Sequence, residues 1–147
     1  MKFLVCIDGS DHSEKVIQTA IQYAEALKAK VKLLYVMEEV IRIPPYASSL
    51  LEGEDFSRAT KNLEHSAQEM MGKWKTVFRE KGIPIETEIK KTKYDTPADV
   101  ISDVSEEGAY DLIILGSRGL GGFKKFFLGS VSLRVAQQIQ QNIMIVK

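Results

Sequence analysis

Five short apolar runs separated by stretches of helical periodicity constrain this chain more than any other feature. Lys2–Ile7 (KFLVCI), Val31–Met37 (VKLLYVM) and Asp111–Leu115 (DLIIL) are compact and lack polar alternation, the pattern of strands buried on both faces. Asn142–Val146 supplies a last apolar run, and Ile83–Lys91 alternates apolar with charged residues, as an edge strand with one wet face does. Between the runs the period changes. Val16, Ile17, Ala20, Ile21, Ala24 and Leu27 recur at helical intervals after Asp11-His12-Ser13-Glu14, which has capping-box spacing. Ala59, Leu63, Ala67, Met70, Met71, Trp74, Val77 and Phe78 do the same from Arg58 to about Lys81, with Gly82 as a stop. Thr96-Pro97 offers a cap and a first helical residue for a third helix ending at Gly108, and Val131, Val135 and Ile139 ridge a fourth.

Strand and helix alternating five to four specify an α/β fold: a doubly wound, Rossmann-like, mainly parallel sheet with right-handed crossovers. The expected strand order is 3-2-1-4-5, which puts the first and fourth strands at the switch point. Asp8 and Gly116 then leave neighbouring strands at the mouth of one crevice. The segment Glu38–Ser57, with Pro44-Pro45 and Gly53 and no period, reads as a loop or lid.

A chain of 147 residues with no linker, repeat or low-complexity tract is expected to be one domain, residues 1–147. Twenty basic residues balance twenty acidic ones, so no long-range field draws it to nucleic acid or to an acidic membrane. The one cysteine, Cys6, falls inside the first apolar run, where it packs as a small hydrophobe and suits a reducing compartment. Asp8 interrupts the N-terminal apolar run too early for a signal peptide, and no run reaches membrane-spanning length. The expected location is the cytoplasm.

Gly116–Ser132 (GSRGLGGFKKFFLGSVS) carries the functional signal. It follows a buried strand, is rich in glycine, and ends where a helical pattern starts. Backbone N–H groups at such a helix start can face an anion, and glycines permit close approach. The spacing G-x2-G-x9-G-S matches neither the dinucleotide fingerprint nor the Walker A loop. Taken singly, each residue has a plainer role as well: Asp8 can cap a turn, Ser10 can cap the first helix, and Gly116 can simply end a strand. Lys124 and Lys125 read as solvated, and Phe123, Phe126, Phe127 and Leu128 as anchors for the loop.

Together with V-C-I-D-G-S near the N-terminus and D-L-I-I-L-G-S-R-G before the loop, this stretch resembles the ATP-binding branch of the universal stress protein family. The resemblance covers essentially the whole chain. It implies ATP as ligand, with Asp8, Gly9 and Ser10 on the ribose or adenine side and the backbone of Val36 at the adenine edge. It further implies that Leu115, Gly116, Arg118 and Gly119 approach ribose and phosphates, and that Gly129, Ser130, Val131 and Ser132 offer N–H and hydroxyl donors. A homodimer through the C-terminal strand is also implied, although Gln140-Gln141-Asn142 stand where the family often has proline-rich residues.

No catalytic set emerges. His12 and His65 lack partners in the pattern, and neither a nucleophile elbow nor an HExxH motif occurs. Asp11, Glu14, Glu38 and Glu39 are the acidic residues that could bring Mg²⁺ to bound phosphates, but acids at helix starts need no such role. The leading expectation is an ATP-binding regulatory or stress-response protein. A nucleotide-independent dimeric interaction protein and a slow ATP hydrolase are the alternatives.

Overall fold

The structure, a computed structural model, describes residues 1–38, 53–117 and 128–147, with backbone alone at 53–57 and 59. Its elements run β1 (Lys2–Ile7), α1 (His12–Leu27), β2 (Lys30–Glu38), α2 (Gly53–Glu80), β3 (Ile85–Thr92), α3 (Pro97–Gly108), β4 (Leu112–Gly116), α4 (Ser130–Gln138) and β5 (Asn142–Val146). The strands form one sheet in the order β3-β2-β1-β4-β5, and every pairing is parallel. Among the described residues every strand of the sheet is parallel, and the strand order is the expected one.

The period of two in β1 explains why its run shows no polar alternation. Phe3, Val5 and Ile7 point into a core shared with α1 and α2, while Leu4 and Cys6 point into a second core under α3 and α4. Burial on both faces leaves no position for a polar side chain. β3 lies at one edge, where Ile85 and Ile89 pack on the first core and Glu88 pairs with Lys32 at 2.7 Å and Lys90 at 3.4 Å. The hydrogen bond from Lys32 is the main cause that holds the Glu88 carboxyl below its ordinary range.

Several local expectations need correction. Gly53–Ser57 belongs to α2 and Glu38 to β2, so the expected loop is shorter at both ends; Glu54 and Asp55 are residue types that a helix start favours. The rest of the expected lid, 39–52, lies outside the described residues. Asp11 caps nothing with its side chain: it has helical dihedrals (φ −57°, ψ −24°) and makes no capping hydrogen bond. The third helix does stop at Gly108, but the left-handed residue is Ala109 (φ 47°). Glycine is required at 108 for space, since a Cβ there would meet the Tyr110 ring at 2.0 Å.

Thr96 caps α3 as expected, in a reciprocal box with Asp99. Asp99 Oδ1 also accepts from Gln138 Nε2 (2.8 Å) and faces Arg134 Nη2 (3.2 Å), and Ser102 Oγ donates to Gln138 Oε1 (2.9 Å). This polar clamp joins α3 to α4. Hydrogen bonds from the Thr96 side chain first, and then from Gln138, hold the Asp99 carboxyl down to about 2, from an ordinary value of 3.8. A lowered folded-state pKa stabilises the fold above the unfolded value and is lost as pH falls through the folded one. Wild-type protein is therefore expected to lose stability between about pH 4 and pH 2 more steeply than Asp99→Asn. Denaturation midpoints measured across that window check this; parallel curves would contradict it.

Candidate functional site

The C-terminal ends of β1, β2 and β4 converge where the strand order reverses. Cys6 pairs with Leu115 and Ile7 with Tyr35, so β1 ends between its two neighbours and Asp8 emerges beside Gly116 on one side and Val36 on the other. β2 continues to Glu38, paired there with Thr92 of β3, although its last pair with β1 is at Tyr35. Among the described residues, its edge from Val36 to Glu38 is thus unpaired on the side above β1. Val36 itself is half-buried against the second core.

Asp8 organises the turn that follows it. Its Oδ1 accepts from Ser10 N (3.0 Å), Ser10 Oγ (2.6 Å) and Ser13 Oγ (3.1 Å). Ser13 Oγ also accepts from Gly9 N (3.1 Å), and Gly9 holds φ +76°, which favours glycine. All three bonds fall on one oxygen, so among the described residues Oδ2 has no donor. Ser10 does not cap α1 with its hydroxyl, which donates to Asp8 instead; its carbonyl accepts from Ser13 N (2.9 Å).

The end of β4 and the start of α4 are tied together across the intervening chain. Ser117 N donates to Val146 O (2.7 Å), Gly129 N to Ser117 O (2.8 Å), and Ser132 Oγ to Gly116 O (2.5 Å). Leu133 N makes the first intrahelical bond, to Gly129 O (3.0 Å). Gly129 is the N-cap and no side chain caps the helix. The N–H groups of Ser130, Val131 and Ser132 are therefore left without a protein partner among the described residues, as a helix start leaves them. Their partial positive charge collects beside the Asp8 turn. This arrangement can hold an anion at α4 and accept a hydroxyl hydrogen at Asp8 Oδ2.

Not every expected residue joins the site in the expected way. Leu115 is buried in the second core and paired on both sides, to Cys6 and Ile145, so it packs rather than faces the crevice. Ser132 is also buried, and its hydroxyl hydrogen is engaged by Gly116 O, leaving only its N–H to donate outward. Arg118 and Gly119 lie outside the described residues, as do Phe123, Lys124, Lys125, Phe126 and Phe127. Asp8, Gly9, Ser10, Val36, Gly116, Gly129, Ser130 and Val131 are brought to one end of the sheet.

Four residues near the site have no site role in the sequence reading. Ser13 and Ser117 are buried polar side chains or backbone links that fix the two turns, and their placement after D-G-S and L-G was the available signal. Met70 of α2 approaches from the other side: a Cβ on Gly9 would lie 3.6 Å from its sulfur. Tyr35 is half-buried beside Asp8; burial, and secondarily the Asp8 charge, raise its phenol above the ordinary value. Burial alone pushes the Cys6 thiol up to about 12, which keeps it unreactive.

Among the described residues no group of three or more His, Cys, Asp or Glu is placed to hold a metal, and no helix is long and apolar enough to cross a membrane.

A model of the Universal stress protein family matches residues 1–147. Universal stress protein YxiE of Bacillus subtilis is 32% identical over 156 residues, covering 99% of this chain and 98% of YxiE. Among solved structures, that of the hypothetical protein MJ0577 superposes with a TM-score of 0.78 at 24% identity, covering 99% of this chain and 94% of that one. A universal stress protein family structure from Arabidopsis thaliana with AMP bound superposes at 0.70 and 19% identity, covering 100% and 91%.

Proposed function

We propose, from the premise that this chain belongs to the universal stress protein family, that it is an ATP-binding regulatory protein of the stress response. The observation that carries the reading is the set of three N–H groups at Ser130, Val131 and Ser132 and the Asp8 Oδ2, which have no partner among the described residues. In this reading the phosphates take the α4 amides, with Arg118 as a further charge partner by its place in the sequence. The ribose hydroxyls donate to Asp8, Gly116 and Gly119 allow close approach, and the adenine edge meets the open backbone of β2 at Val36. That a neighbour of the same fold has AMP bound supports an adenine nucleotide as the ligand.

No residue here is assigned to cleave the nucleotide. Bound ATP acts by its differential affinity for two states of the protein: it orders the groups it touches and so alters a partner surface. Mg²⁺ is a candidate companion of the phosphates rather than a resident metal.

Calorimetric titration with ATP, paired with an assay of phosphate release, tests the reading. Binding with negligible release is the expected result. No binding would favour a nucleotide-independent interaction protein, and sustained release a slow hydrolase.

The same reading includes a homodimer through β5. This strand is the free edge of the sheet next to β4, and Ile143, Met144, Ile145 and Val146 are only half-buried in the single chain. An uncovered apolar edge of this kind invites strand pairing with a second copy. A chain truncated after Gln141 is expected to sediment as a monomer; a soluble, still dimeric truncation would rule this interface out.

A further inference from the structure

We propose that Tyr94 is a stacking platform for the base of the bound nucleotide, an inference that rests on the nucleotide-binding reading above. The proposed ligand is laid out across the strand order: phosphates at α4 beside β4, ribose at Asp8 after β1, base at the open edge of β2. Continued one strand further, the same line reaches the end of β3. Thr92, the last residue of β3, pairs with Glu38, two positions beyond Val36, and Tyr94 follows it in the turn to α3.

The turn is braced by hydrogen bonds on both sides of Tyr94. Thr92 is buried and its Oγ1 donates to Asp95 O (2.8 Å), closing the turn from inside. Immediately afterwards Thr96 N donates to Asp99 Oδ2 (3.0 Å) and Asp99 N to Thr96 Oγ1 (3.3 Å), which fixes the start of α3. On the other side, Lys91 pairs with Glu64 and so ties the strand end to α2. Between these anchors Tyr94 is 87% exposed, the most exposed large hydrophobic side chain among the described residues. Lys93 Nζ lies 5.4 Å from its ring centroid.

A planar ring on a braced turn, at the base end of the proposed ligand, is suited to cover one face of a heteroaromatic base. Stacking does not depend on a hydrogen-bond pattern, so the ring adds affinity while the β2 backbone edge reads the base. Tyr94 is outside both cores of the described residues, so its removal tests binding without disturbing them.

The experiment is calorimetric titration of AMP into the full chain and into Tyr94→Ala, Tyr94→Phe and Tyr94→Trp, with thermal midpoints measured alongside. Tyr94→Ala is expected to weaken AMP about tenfold with an unchanged midpoint, while Tyr94→Phe and Tyr94→Trp keep wild-type affinity. Wild-type affinity in Tyr94→Ala, or an equal loss in Tyr94→Phe, would overturn the platform and leave the nucleotide site standing. Failure of the wild-type chain to bind AMP and, in a parallel titration, ATP would overturn both.

Discussion

Gly129→Val is expected to weaken ATP binding at least about 100-fold while the protein stays folded. Gly129 has φ −58° and ψ 154°, an extended conformation open to valine, so the glycine is not there for its backbone freedom. Its own bonds, N–H to Ser117 O and C=O from Leu133 N, are backbone bonds that the substitution keeps. What changes is space. A branched side chain is added at the residue directly before the three free amides, where the proposed phosphates approach. Loss of glycine at an N-cap costs up to about 1 kcal/mol, a shift in melting midpoint of only about 2–4 °C for a chain of this size. Affinity for ATP, by contrast, is expected to fall by at least about 100-fold, or about 2.7 kcal/mol. Titration calorimetry with circular dichroism on the same sample reads both. A folded variant with unchanged affinity would remove the α4 amides from the site.

Phe3→Ala is expected to produce the largest loss of stability. Phe3 is fully buried, sits on the central strand between Val31 and Leu112, and packs in the larger core under α1 and α2. Emptying such a position costs about 3–5 kcal/mol, because transfer free energy and a residual cavity add. Against a usual total of about 5–15 kcal/mol, that removes a large fraction of the fold's margin. Because β1 ends at the Asp8 turn, the same change loosens the strand that presents the carboxylate. The exposed Leu63→Ala on α2 serves as the control, with an expected change within about 0.5 kcal/mol. Urea midpoints for the two variants check the contrast, and a loss under about 1 kcal/mol for Phe3→Ala would mean the core is not packed as described.

These two positions also show what a linear reading of the residues can reach. The architecture was legible because parallel strands buried on both faces leave an unmistakable apolar run, and because Thr96-Pro97 and Gly82 punctuate the helices. The glycine spacing likewise located the start of α4. Hydrogen-bond partners were not legible, since they depend on which groups the fold brings within reach. Asp11 and Glu14 had capping-box spacing, yet the turn is organised by Asp8 with Ser10 and Ser13. Ser132 read as a phosphate donor, yet its hydroxyl is spent on Gly116 O. The family resemblance implies Leu115 near the ribose, while the pleat of β4 turns its side chain into the core. Tyr94 carried no sequence signal at all: its interest comes from the register that ends β3 beside β2.

In the proposed site the first-turn amides of α4 hold the phosphates of an adenine nucleotide. Amide chemical shifts recorded during a titration with ATP test it residue by residue. The Ser130, Val131 and Ser132 signals are expected to move together and saturate with the calorimetric affinity, with Gly9 and Ser10 following as the Asp8 turn takes the ribose. Saturable ATP binding with those three amides unmoved, or no binding at any concentration, would contradict it.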